Sequence, residues 1–267
     1  MVSAALFKTS VVVLLAGSAW GQQTGSPVSV AGFRPDKTDA LATSKTIDKP
    51  TVITPEVRGD IFMARKMYRE AIEQYKSAPE SAILVNKTGI GYHQMLELNL
   101  AKKYYEKSIR MDHHYAEALN NLGTVFYAQK SYRRAVNQYK RALKEAPASA
   151  SIWSNLGTAH FARKKYDDAM EAYEKALSLD PDVFEHKSSA GVLLQERSVE
   201  ERAKFHYYQA KLYAKRGMNE RALLYLRKAF EEGLKEDRDK IKDLPEFEPM
   251  KELPEFKELL AMQQRVL

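Results

Sequence analysis

The segment Ala116-Glu-Ala-Leu-Asn-Asn-Leu-Gly123 returns as Ala150-Ser-Ile-Trp-Ser-Asn-Leu-Gly157, 34 residues later (157 − 123). The same interval separates Pro147 from Pro181. A fixed period of this length predicts stacked supersecondary units, because each unit is too small to bury its apolar face without a neighbour. With 267 residues, the chain is long enough for several such units.

Each copy contains two stretches with helical spacing. Counted from Ala116 or Ala150 as position 1, apolar or small residues stand at positions 4, 7, 8 and 11 and again at 20, 24 and 27. They are Leu119, Leu122, Gly123, Phe126, Ala135, Tyr139 and Ala142 in one copy, and Trp153, Leu156, Gly157, His160, Ala169, Tyr173 and Ala176 in the next. Gly at position 8 and Ala at position 20 predict a close approach of two helices. The aromatic residues at positions 11 and 24 are expected to fill the space between hairpins. Proline at position 32 predicts the end of each unit.

This pattern resembles the tetratricopeptide repeat, and His160 at position 11 is its one departure in these two copies. The resemblance implies an all-α fold, a right-handed superhelical solenoid of about five helix-turn-helix repeats with a C-terminal helical cap. It also implies a surface that holds protein partners rather than an enzyme.

The repeat pattern divides residues 51–236 of the chain. We predict repeats at about 52–81, 82–115, 116–149, 150–183 and 203–236, with an insert at 184–202. Ser198-Val-Glu-Glu201 has the form of a capping box and predicts a helix that starts at Val199. Residues 184–197 contain the apolar Val192-Leu-Leu194, and we interpret them as a short extra helix or an ordered loop packed across the end of the solenoid. The alternatives are an irregular joint between repeats and a loop that acts as a lid or docks a partner.

A short duplication follows the last repeat, within residues 237–267. Asp243-Leu-Pro-Glu-Phe247 returns as Glu252-Leu-Pro-Glu-Phe256. Proline at the first helical position followed by glutamate is a favourable helix start. We predict helices whose apolar residues cover the open end of the last repeat. A partner-binding motif is the alternative.

Residues 1–21 have the pattern of a secretory signal peptide. Lys8 supplies a positive charge, residues 10–16 are apolar, and Ala19 and Gly21 are small residues before a cleavage point at Gln22. The apolar run is shorter than the roughly 20 residues that cross a bilayer. We therefore expect an exported protein, periplasmic or secreted, with an uncleaved anchor or a chance apolar start as the alternatives.

The composition of the linker, the net charge and the absence of cysteine narrow the classes of partner and chemistry further. Residues 22–50 are rich in Gln, Gly, Ser, Thr, Pro, Asp and Lys, a composition that predicts a disordered linker. The formal net charge is +7 and the pI is about 9.2. If the protein is exported, a nucleic-acid partner is not expected despite this charge, and membrane contact is at most peripheral. The chain has no Cys, which excludes disulfides and thiol chemistry.

No motif for catalysis or metal binding is present in the sequence. The six His residues form no His-Glu-x-x-His or His-x-x-x-His pair, so no two of them meet on one helical face. A glycine-rich phosphate loop and a Gly-x-Ser-x-Gly motif are also missing. We predict neither enzymatic activity nor a cofactor, and a core position for His160.

The resemblance implies that positions 2, 5, 6, 9 and 12 of each first helix line a concave groove. From these positions we take the candidate peptide-binding residues Asn86, His93, Asn120, Asn121, Thr124, Tyr127, Ser154, Asn155, Thr158 and Phe161. Amides and hydroxyls can pair with a peptide backbone, and Tyr127 and Phe161 are the expected anchors for its side chains. Solvated polar residues with no ligand are the alternative. Asn86, Ile90, Ser151 and Asn155 depart from the family's clamp for a terminal carboxylate, although Asn121 is kept.

These observations favour an exported scaffold that binds a peptide segment of another protein in its concave groove. The first alternative is a structural subunit of a cell-envelope or secretion assembly that uses the convex face or the ends. A metal-binding or enzymatic protein is the second. The second helices also carry runs of Lys and Arg at 102–110 and 133–144, interpreted as solvated charge or as a patch for an anionic lipid or polymer.

Overall fold

A computed structural model describes residues 53–184 and 198–261, which are helical throughout with short connections. The helices are α1 (Pro55–Ala64), α2 (Tyr68–Ser77), α3 (Ala82–Gln94), α4 (Leu98–Met111), α5 (Ala116–Ala128), α6 (Tyr132–Glu145), α7 (Ala150–Ala162), α8 (Tyr166–Leu179), α9 (Val199–Lys215), α10 (Asn219–Glu231), α11 (Arg238–Lys242), a 3₁₀ helix (Pro245–Met250) and α12 (Pro254–Ala261). The predicted signal peptide at 1–21, the linker at 22–50 and most of the insert at 184–202 lie outside the described residues.

The helices pack as consecutive hairpins. α1 packs on α2, α3 on α4, α5 on α6, α7 on α8 and α9 on α10. The second helix of a hairpin also packs on the first helix of the next, as α2 does on α3, α4 on α5 and α6 on α7. Each unit therefore buries its apolar face against a neighbour, and the predicted all-α solenoid is confirmed.

The turn inside each hairpin has one repeated conformation. Its residue at position 15 adopts a positive φ of 56° to 70° in all five hairpins: Lys66, Leu96, Lys130, Lys164 and Gly217. Only Gly217 suits this left-handed region without a steric cost. In the third hairpin the amide of Lys130 donates to the carbonyl of Tyr127, at 2.8 Å. Because four side-chain-bearing residues accept the strained conformation, helix packing rather than local preference sets the turn.

A glycine at position 8 faces a tyrosine ring at position 24 in the first four hairpins. A methyl group added at this glycine would lie 2.4 to 2.7 Å from a ring carbon: Gly59 against Tyr75, Gly89 against Tyr105, Gly123 against Tyr139, and Gly157 against Tyr173. The expectation that the aromatic residue at position 24 fills the space between hairpins is therefore incomplete. Its ring lies inside its own hairpin, because only glycine leaves room for it there.

The fifth hairpin solves the same packing problem with different residues. Ala210 stands at position 8 and Leu226 at position 24, and both are fully buried in one apolar cluster. Where position 8 carries the extra methyl group of alanine, position 24 carries leucine, which is smaller than the tyrosine of the other hairpins. The pair of positions varies together, as expected for side chains that share one volume in a close-packed interior.

The C-terminal segment packs on the last hairpin. Ser198 caps α9, its Oγ accepting from the amide of Glu201 at 3.2 Å, and the helix begins at Val199 as the capping motif predicts. The 3₁₀ helix contacts α9, and α12 contacts α10. Phe247 and Phe256 are both 0% exposed, with ring centroids 5.5 Å apart. The duplicated motif thus places one phenylalanine from each copy in the same apolar cluster.

Candidate functional site

Two neighbouring positions on the first helices join successive repeats. Among the first four repeats, the residue at position 6 donates a hydrogen bond to the residue at position 5 of the preceding repeat. Between the first two repeats, Lys87 Nζ lies 2.8 Å from Glu56 Oε1. Between the second and third, Asn121 Nδ2 lies 3.1 Å from Asn86 Oδ1, with both side chains buried. These polar residues therefore stabilise the stacking of the repeats.

The same bond between the third and fourth repeats is only half-buried. Asn155 Nδ2 donates to Asn120 Oδ1 at 3.0 Å. The Nδ2 atom of Asn120 and the Oδ1 atom of Asn155 have no partner in the part of the chain that the structure describes. A hydrogen-bond donor on α5 and an acceptor on α7 are thus available to a ligand.

A second group of candidate residues holds the tyrosine rings. The hydroxyl of Tyr139 lies 3.3 Å from Thr124 Oγ1, and that of Tyr173 lies 3.1 Å from Thr158 Oγ1. Thr158 Oγ1 also donates to the backbone carbonyl of Ser154, at 3.0 Å. Thr158 and Ser154 are buried, and Thr124 is half-buried. Thr124 is therefore the member of this group with a surface that a ligand can reach.

The second repeat holds its tyrosine through a histidine. Position 9 is Ile90 here, which cannot accept a hydrogen bond. Instead, Nδ1 of His93 lies 3.3 Å from the hydroxyl of Tyr105, and both residues are 0% exposed. Burial lowers the pKa of His93 to about 4. His93, a candidate for the groove, lies in the core.

This burial predicts that acid destabilises the protein through His93. Because the folded-state pKa is about 4 and the unfolded value is near 6.5, the unfolded chain binds more protons between these pH values. The free energy of unfolding should fall by roughly 2 kcal/mol from pH 7 to pH 5 on account of this group. Urea unfolding at both pH values, compared with His93→Gln, measures the contribution. Equal pH dependence in the two proteins would contradict it.

The two expected aromatic anchors are largely buried. Tyr127 is 8% exposed and packs on Tyr132, with ring centroids 5.2 Å apart. Phe161 is 4% exposed and contacts the ring of Tyr208 edge-on, at 5.9 Å. Residues of the following helices cover the faces of both rings, which leaves little surface on either for a ligand side chain.

A stacked tyrosine pair lies on the surface beside Phe161. The rings of Tyr166 and Tyr208 are half-buried, 5.2 Å apart and inclined by 16°. The ammonium group of Lys204 lies 4.1 Å from the centre of the Tyr166 ring. The repeat pattern does not predict this pair, although Tyr208 stands at position 6 of the fifth repeat, the position of Asn121 and Asn155.

We use the name first-helix face for the accessible side chains at positions 2, 5, 6 and 9 of the first helices, together with Tyr166. Its central members are Glu117, Asn120, Thr124, Ser151, Asn155 and Tyr208. The face carries amide, hydroxyl and aromatic groups contributed by the third, fourth and fifth repeats. Such groups recognise the backbone and side chains of a peptide.

The structure also bears on metal binding and membrane insertion. Within residues 53–184 and 198–261, no group of three or more His, Asp or Glu side chains could hold a metal ion. His160 is buried, with Nδ1 3.3 Å from Asp168 Oδ2, and burial lowers its pKa despite that carboxylate. None of the described helices is both long and apolar enough to cross a membrane.

Comparisons with known proteins point to one repeat family. Residues 121–183 match the tetratricopeptide repeat. No curated protein matches the chain. A crystal structure of MamA is 23% identical, with 65% of this chain and 93% of that chain covered and a TM-score of 0.46.

Two further solved structures are similar at the same level. YrrB, described as a TPR protein with an unusual peptide-binding site, is 19% identical over 49% of this chain and 69% of that chain, with a TM-score of 0.44. A chain from the APC/C hetero-tetramer Cut9–Hcn1 is 20% identical, with 77% of this chain and 35% of that chain covered and a TM-score of 0.49. The family match over residues 121–183, with helix pairs of the same build on both sides of it, supports a tetratricopeptide repeat protein.

Proposed function

We propose that the protein is a non-enzymatic scaffold that binds an extended peptide segment of another protein along its first-helix face, the concave groove of the solenoid. The observation that carries the proposal is the asparagine pair between the third and fourth repeats. Asn120 Nδ2 offers a donor and Asn155 Oδ1 an acceptor, and both are held in place by the bond between the two side chains. An extended backbone presents a donor and an acceptor in alternation, so this pair can satisfy both.

The fixed geometry of the pair favours binding. A side chain already held by one hydrogen bond loses less conformational entropy when a ligand binds than a free side chain does. The Tyr166–Tyr208 stack continues the same face into the next repeat and offers an aromatic surface to a ligand side chain. A ligand that spans these two repeats would contact polar and aromatic groups in turn.

A matched pair of serine substitutions tests the proposal. Ser151 lies one helical turn before Asn155 on α7, and Ser178 is exposed on α8 of the same hairpin. Peptides are selected from a displayed library on the wild-type protein, and their affinities are measured by fluorescence anisotropy. Ser151→Arg should weaken binding about ten-fold by covering the asparagine pair, whereas Ser178→Arg should change it less than about two-fold.

Thermal melts of both variants establish that each is folded. Full affinity of Ser151→Arg for every selected peptide would rule out the first-helix face. Loss of binding in Ser178→Arg alone would favour a structural subunit that uses its second helices.

We further propose that this scaffold acts after export, in the periplasm or outside the cell. The support is the signal-peptide pattern of residues 1–21. N-terminal sequencing of the mature protein should find Gln22 first, and a retained Met1 would overturn the proposal.

A further inference from the structure

A positively charged cleft lies between the second helices of the second and third hairpins. It has a volume of about 430 Å³. Arg110 of α4 and Arg134 and Arg141 of α6 line it, and Glu106 is its one acidic residue. The rest of its wall consists of the polar residues Asn137 and Gln138 and of three buried apolar side chains: Ile109, Leu122 and Phe126. We call this site the arginine cleft.

None of the three arginines has a carboxylate partner in the described part of the chain. Arg134 lies over an aromatic ring, with its guanidinium carbon 3.9 Å from the centre of Phe126. Arg141 donates to the neutral Oε1 of Gln138, at 2.9 Å. Arg110 is exposed and has no polar partner among the described residues.

The acidic residue of the cleft is already paired with another base. Glu106 Oε1 lies 3.7 Å from Lys102 Nζ, one turn earlier on α4. The carboxylate is therefore shared, and the three guanidinium groups of the cleft keep an excess of positive charge.

The corresponding cleft one repeat later has no excess of positive charge. Between α6 and α8, it is lined by two basic residues, Lys140 and Lys144, and by two acidic ones, Asp168 and Glu171. We call this the lysine cleft. Asp168 stands 34 residues after Arg134 (168 − 134), so the repeat places an acid where the arginine cleft has a base. The excess of positive charge is therefore specific to the arginine cleft and does not recur in the lysine cleft.

We propose that the arginine cleft binds an acidic segment of a partner protein, independently of the first-helix face. Guanidinium groups suit this role, because their planar fork pairs with a carboxylate through two hydrogen bonds. Arg134 and Arg141 are seven residues apart on one helix, which corresponds to about 10 Å along its axis.

That spacing selects the kind of ligand. It spans about three residues of an extended chain, more than a single small anion can bridge. The apolar wall adds a place for an aliphatic side chain between the acidic residues. A protein segment with glutamates around a leucine meets both requirements.

The probe is the fluorescein-labelled peptide Gly-Ser-Glu-Glu-Leu-Glu-Glu-Ser-Gly, titrated with the full-length protein and followed by fluorescence anisotropy. The double variant Arg134→Gln/Arg141→Gln should weaken binding about five- to ten-fold, the scale of two exposed charge pairs. Lys140→Gln/Lys144→Gln removes the same charge from the lysine cleft and should change the affinity less than about two-fold. Arg110→Gln/Arg141→Gln leaves the Arg134–Phe126 contact in place and should resemble the first variant.

Every other outcome counts against the proposal. An equal loss in the arginine and lysine variants would show non-specific attraction. If the wild-type protein does not bind the peptide even at about 1 mM, where very weak binding is still detected, the proposed site does not exist. Binding of phosphatidylglycerol vesicles but not of the peptide, with the same dependence on arginine, would assign the cleft to a membrane surface. If the protein self-associates and the peptide does not displace this association, the arginine cleft would be assigned to contact with a second copy of the chain.

Discussion

Replacement of Phe256 by alanine should lower the free energy of unfolding by about 3–5 kcal/mol. The side chain is 0% exposed and stacks on Phe247, so its removal leaves a cavity and deprives the neighbouring ring of its contact. The loss should be concentrated at the C-terminal end, because units of a solenoid interact mainly with their neighbours. Urea unfolding measures the total, and hydrogen exchange should show faster opening of α9 and α10 than of α3 and α4.

A neighbouring surface residue provides the control. Glu258 is exposed on the same helix, and Glu258→Ala should change the stability by less than about 0.5 kcal/mol. If the two alanine variants unfold alike, the C-terminal segment does not cover the solenoid end in solution. Faster exchange in all hairpins together would instead show that the solenoid unfolds as one cooperative unit.

Gly123→Leu should destabilise the third hairpin by about 3 kcal/mol, the upper end of the usual cost of overpacking. A methyl group at this position would lie 2.6 Å from a ring carbon of Tyr139, closer than carbon atoms approach one another. The ring cannot move aside, because it is 2% exposed and its hydroxyl contacts Thr124. Thermal and urea unfolding measure the cost, and an unchanged midpoint would contradict the close contact.

The fifth hairpin suggests the compensating change. It has Ala210 and Leu226 where the third hairpin has Gly123 and Tyr139. Combining Gly123→Ala with Tyr139→Leu should therefore cost less than the sum of the two single changes, since the smaller leucine makes room for the methyl group. Strict additivity would show that the two positions do not share one volume.

Much of the fold could be predicted from the sequence, because the apolar pattern has the period of the structure. Repetition of Gly123 and Tyr139 as Gly157 and Tyr173 identifies helix pairs without any coordinates. The same pattern places the buried face of each helix, since residues three and four apart lie on one side of it. Ser198 fixed the start of α9 for a local reason, the need of a helix N-terminus for an acceptor.

The candidate site was less predictable. Periodicity placed Asn86, Asn121 and Phe161 on the expected face of their helices but did not show that neighbouring helices bury them. The hydrogen bond between Asn121 and Asn86 depends on how closely two repeats stack, and that distance is a property of the assembled solenoid. The surface pair of Tyr166 and Tyr208 likewise forms across two hairpins.

The sequence by itself thus determined that the chain is built from helix pairs and which face of each helix is apolar. Those features depend on residues within one repeat. Only the tertiary structure decided which polar side chains are spent on stacking and which remain for a ligand. It also decided that Arg134 lines a cleft with an excess of positive charge, while Asp168 lines the next cleft, where acidic and basic residues are equal in number. The physical reason is that burial and electrostatic pairing depend on distances between repeats, which the pattern within one repeat does not contain.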